Sequence, residues 1–200
     1  MRRFAKSSAL ASALLGASVA VAACSQPTAT SGASGPGPAA SSHGTPSATP
    51  AANCPSGAWQ AAPLSVARQV AVPPVPVVTA VRAAQHPECR YDRIVFDVRG
   101  ALPAYSIRFV RKLAVDPSGR HITVPGRHIL VISLRPAQAH TSSGTPTFSA
   151  AVHRVSFPVL ASWVRIGDFE GTTSVAIGLN KMARIRVGEL PGHLYVDIQE

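Results

Sequence analysis

The run His128-Ile129-Leu130-Val131-Ile132-Ser133-Leu134 decides the fold class of this 200-residue chain. Nearly every position is apolar, which is the pattern of a strand whose two faces are both buried. Shorter stretches around it follow the two-residue period of strands and predict further strands. These stretches are 77–82, 93–98 and 105–110, and later candidates are 152–157, 161–166, 173–179, 183–188 and 193–199.

Turn-forming residues separate the predicted strands. Examples are Asp116-Pro117-Ser118-Gly119, Pro125-Gly126 and Pro191-Gly192. Many short strands at this spacing predict an all-β sandwich or barrel and argue against βαβ units. A short helix near 137–140 or 158–163 is an alternative for these two stretches.

The composition excludes several classes of protein. Charged residues make up 14% of the chain, so it is neither a highly charged disordered protein nor a coiled coil. Three cysteines are too few for a disulfide-dense miniprotein or a four-cysteine zinc site. No cofactor motif is present, and no cofactor is expected.

Residues 1–23 have the pattern of an export signal. Three basic residues precede an apolar stretch of about 14 residues, shorter than the roughly 20 that cross a bilayer. The end, Val21-Ala22-Ala23-Cys24, resembles a bacterial lipobox. This resemblance implies cleavage before Cys24, lipidation of its thiol, and an anchor on the extracytoplasmic face of the cell membrane. Ordinary secretion, with cleavage at the same small residues, is the alternative.

The stretch 24–58 is predicted to be a disordered tether. Between 25 and 58, 30 of 34 residues are Ala, Ser, Thr, Gly or Pro, and none is charged. Such a segment buries too little apolar surface to offset its conformational entropy. The remaining residues, 59–200, are enough for one domain with its own core.

The two cysteines beyond the export signal, Cys54 and Cys89, are expected to form a disulfide, because an exported protein meets an oxidising compartment. A competing interpretation uses them with His86 as metal ligands.

The chain has 19 Lys and Arg against 9 Asp and Glu, a net charge of +10. Inside a cell this balance would suggest nucleic acid, but export argues against that partner. The anions available outside are phospholipid head groups, wall-linked phosphate polymers and peptidoglycan carboxylates. Alternatively, the charges only keep the surface hydrated.

The chain carries no G-x-S-x-G or H-E-x-x-H motif, so we do not expect an enzyme. One acidic segment needs separate consideration: if extended, Asp168 and Glu170 would share a face about 7 Å apart. That spacing is near the range of glycosidase carboxylates and would also suit Ca²⁺. The alternative places Phe169 in the core and pairs both carboxylates with arginines.

Other side chains have two interpretations each. Arg90 and Arg93 would belong to a salt-bridge cluster or to an anion-binding edge. Trp59 and Trp163 would be sugar-stacking platforms or core residues, and its apolar neighbours favour the core for Trp163. His121 and His128 flank one turn, where ordinary turn histidines are favoured over a metal site.

Several blocks together resemble the AMIN-like domain of actinobacterial lipoproteins. They follow one another in the family's order over about 75–200. The blocks begin with Tyr91-Asp92-Arg93-Ile94-Val95-Phe96-Asp97, continue through Leu130-Val131-Ile132-Ser133-Leu134 and Gly167-Asp168-Phe169-Glu170-Gly171, and end with Leu194-Tyr195-Val196-Asp197. The resemblance implies a β-sandwich related to the AMIN domain, a non-catalytic module that targets wall amidases and secretion proteins to peptidoglycan.

These observations predict a non-catalytic envelope lipoprotein that binds peptidoglycan, another cell-wall glycan or a wall-associated protein. The candidate ligand-face residues are Asp168, Glu170 and Arg93. A carrier of lipid or another apolar ligand is the alternative, and an enzyme using Asp168 and Glu170 is a third hypothesis.

Overall fold

The computed structural model describes residues 53–113 and 122–200. Within these ranges, no helix is long and apolar enough to cross a membrane. The described residues form ten strands and a single 3₁₀ turn at Pro87–Cys89. The strands are β1 Leu64–Val66, β2 Val77–His86, β3 Tyr91–Arg99, β4 Ala104–Val110, β5 His128–Arg135, β6 His153–Arg154, β7 Leu160–Phe169, β8 Thr172–Leu179, β9 Ile185–Leu190 and β10 His193–Gln199.

The strands form two antiparallel sheets that pack as a sandwich. The six-stranded sheet has the order β1-β4-β5-β8-β7-β6, and the four-stranded sheet has the order β2-β3-β10-β9. The predicted all-β sandwich is therefore confirmed. Strand β5 lies between β4 and β8, and both of its faces are largely covered, as its sequence predicts.

The main core fills the space between the two sheets. In β3, Ile94, Phe96 and Val98 point inward, while Arg93 and Asp97 lie on the outer face. The largest side chains that are fully buried are Phe96, Ile94, Ile107, Leu130, Ile132, Leu134, Leu160, Ile177, Leu179, Ile185, Leu194 and Ile198.

A second, smaller apolar cluster lies on the outer face of the six-stranded sheet. Its buried members are Val124, Val131, Val164, Ile166 and Ala176. The loop ahead of β5 covers part of it and lies directly on β8, since a Cβ on Gly178 would sit 1.7 Å from the Pro125 carbonyl oxygen. The Ser162 hydroxyl donates a hydrogen bond to the same carbonyl.

Residues 53–60 form a strap against the four-stranded sheet. Cys54 and Cys89 are joined by a disulfide, which confirms the predicted pairing. Gln60 exchanges two backbone hydrogen bonds with Ile185 at the edge of β9. Contacts with the domain thus begin before residue 59. The predicted export signal, Cys24, tether residues 24–52 and His121 lie outside the described residues.

Some element boundaries differ from those predicted. The sequence pattern misses β1, and of 152–157 only His153–Arg154 is a strand. Neither candidate helix forms: residues 137–140 follow β5 as a bend with isolated bridges, and 160–169 is strand. Residues 160–169 form a strand and not a helix because β-branched and aromatic residues pack well on a sheet surface.

Candidate functional site

Asp168 lies near the end of β7 and is fully engaged by neighbouring donors. Its carboxylate accepts hydrogen bonds from the Ala139 backbone N–H (2.7 Å), from His140 Nδ1 (2.8 Å) and from Arg165 Nη1 (3.0 Å). The Asp168 side chain is only 12% exposed. It therefore joins the loop after β5 to the β7–β8 hairpin, and its predicted pairing with an arginine is observed.

Glu170 does not share a face with Asp168. It lies in the turn between β7 and β8 with a φ of +48°, and it is exposed. The extended geometry that would place the two carboxylates about 7 Å apart on one face is absent, because the strand ends at Phe169. The two carboxylates consequently form no converging pair.

Phe169 is 50% exposed, so its predicted place in the core is wrong. A β-bulge between Arg165 and Gly167 adds one residue to β7. One extra residue turns every following side chain to the opposite face of a sheet. The bulge therefore turns Asp168 inward and Phe169 outward.

Arg93 lies on the four-stranded sheet, whereas Asp168 and Glu170 belong to the six-stranded sheet and its hairpin. Its Nε donates to Asp197 Oδ1 at 2.6 Å, and Arg186 binds the other carboxylate oxygen from the neighbouring strand. Asp197 is completely buried between the two guanidinium groups. For Arg93, the structure therefore shows the salt-bridge cluster and not the anion-binding edge. We call Arg93, Asp197 and Arg186 the arginine cluster.

Aromatic rings enclose the arginine cluster. The Arg93 guanidinium lies 4.1 Å from the Tyr195 ring centroid, and that of Arg186 lies 4.5 Å from Trp59. Burial lowers the pKa of Arg93, but the hydrogen bond and charge of Asp197 outweigh it and leave that pKa above its usual value. The protein's own arginines thus occupy these aromatic faces.

Trp163 is 6% exposed and belongs to the core, as its apolar neighbours predict. Its ring is stacked on His153 at a centroid distance of 3.8 Å. Trp163 is therefore a core residue, while the half-buried Trp59 has the Arg186 guanidinium over its ring.

The outer face of the six-stranded sheet carries a groove along β4, β5 and β8. Its main part has a volume of about 370 Å³, and a second part of about 280 Å³ adjoins it through the shared residues Ser133 and Thr172. The floor combines the apolar side chains Val131 and Ile166 with polar ones, and Phe169 lines one end. We call these two parts the outer groove.

Three exposed cations line the outer groove: Arg108, Lys112 and Arg135. None of them forms an ion pair with an acidic residue of the described ranges, and none of those acidic residues lines the groove. The groove therefore presents positive charge and hydrogen-bond donors to solvent beside an apolar floor.

The pairing of β4, β5 and β8 places the polar side chains of the groove floor next to one another. Ser106, Ser133 and Ser174 occupy neighbouring positions on β4, β5 and β8, and the Ser133 and Ser174 hydroxyls lie 2.8 Å apart. The sequence analysis missed this groove. Its only signal was the polar residues of β4 and β5, whose shared face depends on the pairing of strands far apart in the chain.

The chain was compared with known families and proteins. The model of the AMIN-like domain matches residues 76–200, which is more than half of the chain and includes β2 to β10. Neither the curated proteins nor the solved structures gave a significant match. At the family level the domain suggests a peptidoglycan-associated or cell-wall-related role. Because the match covers more than half of the chain, this chain belongs to the AMIN-like domain family.

Proposed function

We propose that this protein is a non-catalytic binding module of the cell envelope and that it binds a cell-wall polymer in the outer groove. The observation that carries the proposal is the combination of three cations without described acidic partners, a row of hydroxyls and an exposed phenylalanine in one groove. Hydroxyl and guanidinium donors with an adjacent apolar surface suit polymers that carry oxygen-rich groups on a carbon skeleton.

The remaining candidate residues support binding without turnover. Asp168 is held by three strong donors, and Glu170 projects from a turn away from it. General acid–base hydrolysis needs two carboxylates that converge on one bond. Such a pair is not formed by these two residues.

The location that we propose is the extracytoplasmic face of the membrane, with Cys24 as the lipid-bearing residue. The Cys54–Cys89 disulfide supports an oxidising compartment. An apolar-ligand carrier is less well supported, because large side chains fill the space between the sheets.

Co-sedimentation with purified sacculi tests the proposal. The full chain, solubilised in mild detergent, should pellet with sacculi at physiological salt, where non-specific surface attraction is screened. R108Q/K112Q should bind about tenfold more weakly, corresponding to a loss of ~1.4 kcal/mol. The matched control R154Q/R184Q removes two exposed cations outside the groove and should bind like the wild type.

The alternatives give different results in the same assay. Equal losses in both double variants would show that net charge alone causes binding. Absence of binding at physiological salt would contradict the proposal and would turn attention to a wall-associated protein as the partner.

A further inference from the structure

The outer groove continues beyond the two parts described above. A third cavity of about 550 Å³ adjoins it at Val110 and is lined by Arg111, Arg127 and His128. We call the surface that these three neighbouring cavities line, along β4 and β5 from Ala104 past Val110, the channel. At about 3.3 Å per residue, the six steps between these two residues span about 20 Å.

Positive charge is distributed along the whole channel. Arg135 is paired with Ala104 at one end, Arg108 lies about 13 Å further along β4, and Arg111 follows directly after the end of β4. Lys112 and Arg127 add two more cations in the second half. Among the described residues, all five are exposed, none has an ion-pair partner, and no acidic side chain lines any of the three cavities.

The channel is also rich in donors and poor in acceptors. Guanidinium and ammonium groups only donate hydrogen bonds, and the backbone groups of its central strands are used in the sheet. Its side-chain acceptors are the hydroxyls, two of which already bond each other, and the His128 ring. A neutral glycan has many hydroxyl groups that need acceptors as well as donors, so it matches this lining poorly.

We propose that the ligand of this channel is a linear phosphodiester polymer. This inference rests on the proposed function and specifies its ligand. A polymer that carries charge in its own backbone brings an anion to each cation as it lies along the channel. Arginine forks bind phosphate oxygens through paired hydrogen bonds. Cations spread along the roughly 20 Å from Ala104 to Val110 and beyond favour a chain over a single head group.

A binding assay with defined polymers tests the ligand class. The probes are synthetic poly(glycerol phosphate) of ten repeats, poly-glutamate of equal charge, and vesicles that contain phosphatidylglycerol. At physiological salt, the full chain should bind the phosphodiester polymer at least about tenfold more tightly than poly-glutamate, since paired guanidinium–phosphate hydrogen bonds add to the charge attraction. The vesicle arm uses protein with Cys24 replaced by Ser, so that a lipid anchor makes no contribution.

Variants locate the binding in the channel. R108Q/R135Q should weaken binding to poly(glycerol phosphate) by about tenfold or more. The affinity should also depend less steeply on salt, because a variant that contacts fewer phosphates releases fewer counterions on binding. R154Q/R184Q loses the same charge elsewhere and should retain both the affinity and the salt slope. An equal effect of the two variants, equal affinity for poly-glutamate, or binding to the vesicles alone would overturn the inference.

Sacculi separate this inference from the proposed function. If the inference holds, stripping sacculi of their phosphodiester-linked polymers abolishes binding, whereas intact sacculi bind. If stripped and intact sacculi bind equally through the outer groove, the proposed function stands and the phosphodiester inference fails. If intact sacculi do not bind, the proposed function itself fails.

Discussion

Tyr195 lies flat across Gly188 on the neighbouring strand, so closely that a Cβ on Gly188 would sit 2.0 Å from the Tyr195 Cζ. The ring in turn supports the Arg93 guanidinium at 4.1 Å. A side chain at position 188 would therefore displace the ring and disturb the arginine cluster.

G188A should lower the free energy of unfolding by about 1–3 kcal/mol, the usual cost of overpacking. Urea denaturation measures the change. G167A is the matched control within a strand, since its new Cβ would lie 3.6 Å from the Ser174 Cβ, an ordinary contact. An unfolding midpoint for G188A equal to that of G167A would contradict the role assigned to Gly188.

The loop ahead of β5 should leave the sheet when Gly178 gains a side chain. In G178A the new Cβ would overlap the Pro125 carbonyl, and the small apolar cluster beneath would become accessible. Trypsin should then cleave after Arg127 faster than in the wild type. S162A, which only removes the hydrogen bond to Pro125, should show a smaller increase. Unchanged cleavage in G178A would argue against this packing.

Removing the charge of Asp197 should strongly lower the free energy of unfolding. D197N leaves two guanidinium groups without their shared carboxylate, and breaking a buried ion pair in this way costs about 3–5 kcal/mol. D97N is the control, because Asp97 pairs with the exposed Arg82, and such pairs contribute about 0.2–1 kcal/mol. Chemical denaturation of both variants compares them directly. Similar losses would show that burial of Asp197 adds nothing.

The disulfide should stabilise the domain and hold the strap in place. Its cysteines are 35 residues apart, and closing a loop of that size contributes about 3–4 kcal/mol in the chain-entropy model. C54S/C89S should unfold at correspondingly lower denaturant, and its Trp59 emission should shift to longer wavelength as Trp59 separates from Arg186. Intact mass with and without reductant should differ by two hydrogens, and an equal mass would disprove the bridge.

Tyr105 should make the domain sensitive to alkali. Burial, with a hydrogen bond to the Glu189 carboxylate, raises its pKa to about 12. An unfolded tyrosine ionises near pH 10, so the unfolded chain releases its proton first and stability falls as pH rises from about 10 to 12. Y105F should lose this component, seen as a shallower decline of unfolding free energy over that window. The same slope in Y105F and wild type would contradict the prediction.

The central strands could be predicted because the pattern of apolar residues in the sequence matches the pattern of buried residues in the fold. In β3 the inward Ile94, Phe96 and Val98 alternate with outward residues, and the middle of β5 is mostly apolar because it lies inside a sheet. Tertiary position decides β1 and β6, which are two or three residues long and too short to show a period.

The candidate site was harder to predict, for two physical reasons. The bulge in β7 leaves no clear mark in the sequence, yet it exchanges the faces of Asp168 and Phe169. Of the channel cations, Arg108 lies on β4 and Arg135 ends β5, so the common face of these two follows from strand register. Arg93 looked available for a ligand because its partner, Asp197, lies 104 residues away in the chain.

The strap also determines how the domain would carry a mechanical load. Tension applied to the chain ahead of Cys54 passes through the disulfide to Cys89, where β2 connects to β3. Residues 55–60 lie outside this path, so they bear less of the load. The load reaches β3, which is paired on both sides, before it can act on the weakly held β1. The domain would therefore resist peeling from its N-terminal end.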